Sequence, residues 1–162
     1  MRVNFKLRYL VGVIVVSFGL SLPLTARSSV HLAAKTPVTS TVTIKVIGAR
    51  NAKGKLGAAL FQDAKGFPED TSKALRQQEA DINPQTLSAQ IVFRDLPQGV
   101  YAISVRHDEN NNGKLDRNFI GVHKEGYGAS NNPKKKLRNP SFDEAKFSLN
   151  AAEQTIEIKL IY

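Results

Sequence analysis

The chain has 162 residues, 41% hydrophobic and 23% charged, with a formal net charge of +9. That is enough material for one domain with its own core. The absence of cysteine excludes disulfides, cysteine-bound metals and a lipid-modified N-terminal cysteine. Much of the basic surplus is local, in Lys134-Lys135-Lys136-Leu137-Arg138, and without interleaved aromatics it argues against nucleic acid as a partner.

In chain order, Arg2, Lys6 and Arg8 precede an almost unbroken apolar run over residues 9–22, then Pro23 and the Leu24-Thr25-Ala26 tripeptide. A membrane span needs about 20 apolar residues, whereas a signal-peptide core needs roughly 7–15. The run predicts a signal peptide over residues 1–26, cut after Ala26, Ala33 or Ala34, and a protein exported to the periplasm or the cell exterior. An uncleaved anchor is the alternative, and in this reading the one route to a membrane. Residues 27–40 show no period and predict a flexible lead-in to a single domain over residues 41–162.

Val42, Ile44 and Val46 alternate with Thr41, Thr43 and Lys45, the period of a strand with one buried face. Residues 48–54 supply a turn, and residues 55–61 are apolar on both faces, as in a strand covered on each side. Residues 62–83 predict a loop with one short helix capped near Thr71 or Ser72. Alternation resumes at Leu87, Ala89, Ile91 and Phe93, and Asp95-Leu96-Pro97-Gln98-Gly99 predicts a hairpin connection. Tyr101, Ile103 and Val105 then mark a central strand that runs directly to Asp108. Phe119, Ile120 and Val122 form a short apolar segment, residues 124–138 a long polar excursion, and Phe142, Ala145, Phe147 and Leu149 hint at a strand. The last element alternates Ile156, Ile158, Leu160 and Tyr162 with Thr155, Glu157, Lys159 and Ile161. Six or seven short strands with almost no helix predict an all-β, antiparallel two-sheet sandwich of immunoglobulin or transthyretin type. Ile91, Phe93, Tyr101, Ile103, Val105, Ile156, Ile158 and Leu160 are its expected core.

The chemistry concentrates after the central strand. Asp108, Asn110, Asn112 and Asp116 put oxygen-bearing side chains at positions 1, 3, 5 and 9 of a calcium-type loop; Gly113 occupies the turn position 6, and Lys114 would offer its carbonyl at position 7. Leu115 can anchor such a loop to the core. Phe119 stands at position 12, where a bidentate Glu belongs, so Asn118, Glu125, a carbonyl or water would have to complete an ion's shell. The competing reading is a turn in which Asp and Asn bond their own backbone. A second chemistry, a small metal-dependent hydrolase using His107, Asp108 and His123, needs both imidazoles to converge. Yet His107 continues the inward parity of Tyr101, Ile103 and Val105, as a strand-end packing residue does, and no nucleophile motif accompanies the pair.

Leu96-Pro97-Gln98-Gly99-Val100-Tyr101, then residues 107–116, then Gly121 and Lys124-Glu125-Gly126-Tyr127-Gly128-Ala129-Ser130-Asn131-Asn132, make the chain similar to the bacterial family called domain of unknown function 2141. The resemblance covers roughly residues 41–162 and implies an exported β-sandwich, with little about activity. Two positions depart from the family pattern, His123 in place of a proline and Ala129 in place of a large aromatic. Together these features predict a non-enzymatic binding or structural module. Its loop end would take calcium through Asp108, Asn110, Asn112, Lys114 and Asp116. Glu125, Tyr127, Ser130, Asn131 and Asn132 would meet a protein, cell-envelope or small-molecule partner.

Overall fold

The computed structural model describes residues 39–134 and 138–162. The expected leader, residues 27–38 of the lead-in, and Lys135, Lys136 and Leu137 of the basic run lie outside the described residues. The described chain forms β1 (Thr39–Ile47), β2 (Lys55–Phe61), β3 (Arg76–Asp81), β4 (Ala89–Pro97), β5 (Gly99–Asp108), β6 (Tyr127–Ala129), β7 (Phe147–Leu149) and β8 (Glu153–Lys159). One sheet has the order β4-β1-β8; the other has the order β3-β2-β5-β6, with β7 pairing the first residues of β5. This is the expected all-β sandwich, with eight strands rather than six or seven. One pair departs from the antiparallel expectation, since β1 and β8 run parallel.

The core is the meeting of the two alternating faces. Val42, Ile44, Val46, Ile91, Phe93 and Ile158 from the first sheet pack on Leu56, Leu60, Tyr101, Ile103 and Val105 from the second. All eight residues expected in the core belong to this cluster, Ile156 at its partly buried margin. β5 is central to its sheet, with β2 on one side and β6 and β7 on the other. It therefore carries His107 and Asp108, both still buried, to one end of the molecule.

Four expectations are corrected. Residues 76–81, placed in a loop, are the edge strand β3; its side chains are mostly exposed and it is held by backbone pairing to β2, so it shows no apolar period. The helix before it is a 3-10 turn (Thr71–Lys73) whose cap is Asp70, accepting from the Ser72 N–H at 3.2 Å. The 95–99 segment is not a hairpin, because β4 pairs with β1 and β5 with β2, so Pro97-Gln98-Gly99 crosses between sheets. The buried Tyr101 hydroxyl donates to the Pro97 carbonyl at 2.8 Å and pins that crossing. The strand hint at 142–149 resolves into α1 (Phe142–Ala145) followed by β7, since Ser141 and Glu144 form a reciprocal capping box that starts a helix. Phe142 and Ala145 then join Phe67, Ala102 and Ala129 in a second apolar cluster.

Candidate functional site

The end of β5 is the start of the Asp/Asn loop, where the Asp and Asn side chains bond their own backbone, as in the turn that competes with the calcium reading. The Asp108 carboxylate, nearly buried, accepts the Asn112 N–H at 3.0 Å and the Gly113 N–H at 2.6 Å. The Asn110 Oδ1 accepts from the Asn112 N–H at 3.1 Å, and the Asn112 Oδ1 from the Lys114 N–H at 2.8 Å. Gly113 adopts φ +76°, a left-handed conformation that L side chains resist. Both amide nitrogens turn inward onto Asp116: Asn110 Nδ2 donates at 2.8 Å and Asn112 Nδ2 at 2.9 Å. Positions 1, 3, 5 and 9 are thus wound into one ring, with Lys114 exposed on its rim and Leu115 half-buried against a neighbouring cleft rather than in the core.

Glu125 reaches this loop from the other side. Only 4% exposed, it accepts the Glu109 N–H at 2.8 Å through Oε1 and the Asp116 N–H at 2.9 Å through Oε2, which closes both shoulders of the loop. Its two oxygens are therefore each engaged by main chain. Glu109 turns away from the ring, toward the Arg50 guanidinium at 2.6 Å and the Asn51 amide at 2.9 Å. Burial disfavours its charged form, but the bonds from Asn51 and Arg50 and the Arg50 charge outweigh this and hold its carboxyl below the ordinary glutamate range.

The two histidines make different contacts. Because the Lys53 carbonyl can only accept, His107 Nε2 carries the hydrogen and donates to it at 2.8 Å, and Nδ1 shares a hydrogen bond with the Tyr162 hydroxyl at 2.7 Å. Both nitrogens of this wholly buried ring are committed. His123 instead lies against the Tyr127 ring, with Nε2 3.3 Å from the Asn139 Oδ1 and 3.6 Å from a Glu69 oxygen. Among the described residues no three His, Cys, Asp or Glu side chains come together as a group able to hold a metal. The two rings have no hydrogen-bond partner in common.

The 125–132 segment is a clamp on the sandwich. Ser130, wholly buried, accepts the Ile103 N–H at 2.9 Å and donates to the Ala145 carbonyl at 2.5 Å. Asn131 donates to the Lys146 carbonyl at 2.8 Å, and Asn132 bonds both the Glu157 carbonyl and the Lys159 N–H of β8. Both asparagines sit at positive φ, which Asn tolerates better than most residues. Gly126 lies flush on Tyr162, where a Cβ would come within 2.6 Å of the ring. Tyr127 is half-buried and pairs through its backbone with Ile161, joining β6 to the residues after β8. Of the five residues expected to face a partner, each thus makes at least one bond within the domain.

The apolar segment between the loop and the clamp behaves differently. Phe119, Ile120 and Val122 are 99%, 68% and 55% exposed. They sit on an ordered turn in which the Asn118 Oδ1 accepts the N–H groups of Ile120 and Val122 at 3.1 and 2.9 Å. Two clefts flank it. One, about 330 Å³, has a floor of Gly57, Ala59 and Ser104 on the outer sheet face and walls that include Leu115 and Tyr127. The other, about 420 Å³, is lined by Arg117, Val122, His123, Arg138 and Tyr162 among others. Sequence reading missed Arg50, Asn51 and Tyr162 at this end, since they arrive from distant segments. The run of three apolar residues inside a polar stretch was the available signal for the exposed turn.

A family model described as "Uncharacterized protein conserved in bacteria (DUF2141)" matches residues 44–157. Comparison with curated proteins and with solved structures gives no match.

Proposed function

The chain belongs to this family of uncharacterised bacterial proteins, and from its loop end we propose that it is an exported, non-enzymatic β-sandwich binding module whose 108–116 loop takes a calcium ion. Calcium would order the end of the sandwich that meets the partner. The observation that carries this reading is the convergence of Asn110 and Asn112 on Asp116, with Asp108 closing the same turn. A cation among these four side chains would replace the two amide N–H groups as the partner of the Asp116 carboxylate. It would add the Lys114 carbonyl and water, a donor set of hard oxygens that suits calcium.

Two carboxylates and two amides make a weak site, in the range of about 10⁻⁴ to 10⁻³ M expected of extracellular modules. That range matches a place outside the cytoplasm, which the basic and apolar leader supports. The non-enzymatic part rests on His107, both of whose nitrogens are committed within the fold.

The experiment is calorimetric titration of calcium into protein first treated with chelator. One site of about 10⁻⁴ to 10⁻³ M is expected, lost in Asp108→Ala and retained in Glu109→Ala, whose carboxylate faces Arg50. No heat in the unaltered protein would remove calcium from the account and leave the loop a hydrogen-bonded turn.

A further inference from the structure

The 117–123 turn is held in one shape by its own bonds. The Asn118 N–H donates to the Val122 carbonyl at 2.8 Å, the Gly121 N–H to the Asn118 carbonyl at 2.9 Å, and the Arg117 guanidinium to the Gly121 carbonyl at 2.9 Å. Arg117 and His123 pair as a bridge at its base. An ordered turn that points a phenylalanine and an isoleucine at water leaves apolar surface to be covered by something else.

The charge around the turn says what. The described residues of 114–138 include five Lys and Arg, Lys114, Arg117, Lys124, Lys134 and Arg138, against two acids, Asp116 and Glu125. Glu125 is buried under the loop, and Asp116 is engaged by Asn110 and Asn112. The cleft beneath the turn is lined by Arg117, His123 and Arg138 with no acid among its lining residues. Arg117 and Arg138 are paired from its margin by Glu69 and Glu144. His123 Nδ1 is buried without a hydrogen-bond partner among the described residues. Three apolar side chains on a convex tip offer far less than the about 800 Å² per partner that a stable protein interface buries. A lipid surface asks for less, since a few apolar side chains entering the headgroup boundary and basic groups around them act together.

We infer that the 117–123 turn docks the protein on an anionic lipid bilayer, Phe119 and Ile120 entering the apolar layer while the exposed Lys114 and Lys124 on either side of it meet the headgroups. This contact is separate from any anchoring by the leader. The inference rests on the loop end being the binding end, and not on an ion in the 108–116 loop.

The chain contains no tryptophan, so Phe119→Trp in the full chain gives a reporter at the tip alone, whatever the leader does. Its emission is read with vesicles of phosphatidylglycerol and phosphatidylcholine, against phosphatidylcholine alone, in chelator and again in calcium. A blue shift with the anionic vesicles, quenched by brominated lipid and reversed by salt, is expected in both buffers. Ile120→Ser in the same background should weaken the lipid-dependent change about tenfold or more, from the loss of one buried aliphatic group. Emission that stays that of exposed tryptophan with anionic vesicles would overturn the inference. So would emission already blue without lipid in a protein that sediments as a dimer, which would mean that a second copy covers the tip. A blue shift in chelator from protein that takes up no calcium would sink the calcium reading and keep this one.

Discussion

The 108–116 loop and the 117–123 turn are neighbours in the chain, and both are organised by asparagine and aspartate oxygens capping backbone N–H groups. They use that chemistry to opposite ends. The first turns its polar side chains inward, onto Asp116 and under Glu125, while the second holds Phe119 and Ile120 outward. The contrast teaches that order in a loop does not reveal its role. What matters is which chemistry the order presents, and here one segment presents a polar ring and the other an apolar tip.

The largest expected effect comes from removing the acceptor that closes the ring. Glu125→Ala leaves the N–H groups of Glu109 and Asp116 without their carboxylate. At about 1–3 kcal/mol for each unpaired buried group, a loss of about 2–4 kcal/mol should appear in denaturant melts, since water entering the opened loop recovers part of it. A change within about 0.5 kcal/mol, the level of an ordinary surface substitution, would mean that the loop stands without its staple.

Asp108→Ala should cost less, about 1–3 kcal/mol, because the Asn112 N–H keeps the Asn110 oxygen while the Gly113 N–H loses its acceptor. The same substitution tests stability and calcium together, and the two readouts separate in chelator. A smaller effect belongs to Glu109. Folding holds its carboxyl below the ordinary range, so its contribution is complete above that range and disappears as pH falls through the depressed folded-state value. Glu109→Gln should therefore flatten the acid limb of a stability profile and leave the shape of the neutral and alkaline limb unchanged. The smallest effect should be at the tip. Phe119→Ala and Ile120→Ala remove side chains in water and should move stability by less than about 0.5 kcal/mol, while abolishing lipid contact. A tip variant that unfolds the domain would merge the two regions that the comparison keeps apart.

The sandwich was legible where burial imposes alternation. Val42, Ile44 and Val46, and Tyr101, Ile103 and Val105, declare their strands because one face meets the core. β3 was illegible for the opposite reason, since Arg76-Gln77-Gln78-Glu79 is an edge whose pairing is made by backbone and leaves no period. The crossing at residues 95–99 looked like a hairpin because turn residues report a change of direction, not which sheet receives the next strand. At the loop end, the alternation of Asp108, Asn110, Asn112 and Asp116 marked the segment as a tight polar loop, but not the amide bonds onto Asp116. The clamp was not, because the bonds of Ser130, Asn131 and Asn132 run to β5, to the residue after α1 and to β8, which lie far away in sequence. Adaptable polar residues look the same whether they await a partner or already hold the fold together.

The most direct measurement is the melting temperature of chelated protein before and after calcium is added. With a Kd near 10⁻⁴ M, 10 mM calcium is about 100 Kd and should add about 2.7 kcal/mol. The shift should vanish in Asp108→Ala and shrink in Asp116→Ala. Magnesium should reproduce little of it, since the smaller ion demands a near-octahedral shell that two amides and two carboxylates in an irregular turn do not offer. A curve unmoved by calcium, in protein whose chelation has been verified, would contradict the account and leave the 108–116 ring as a turn that satisfies only itself.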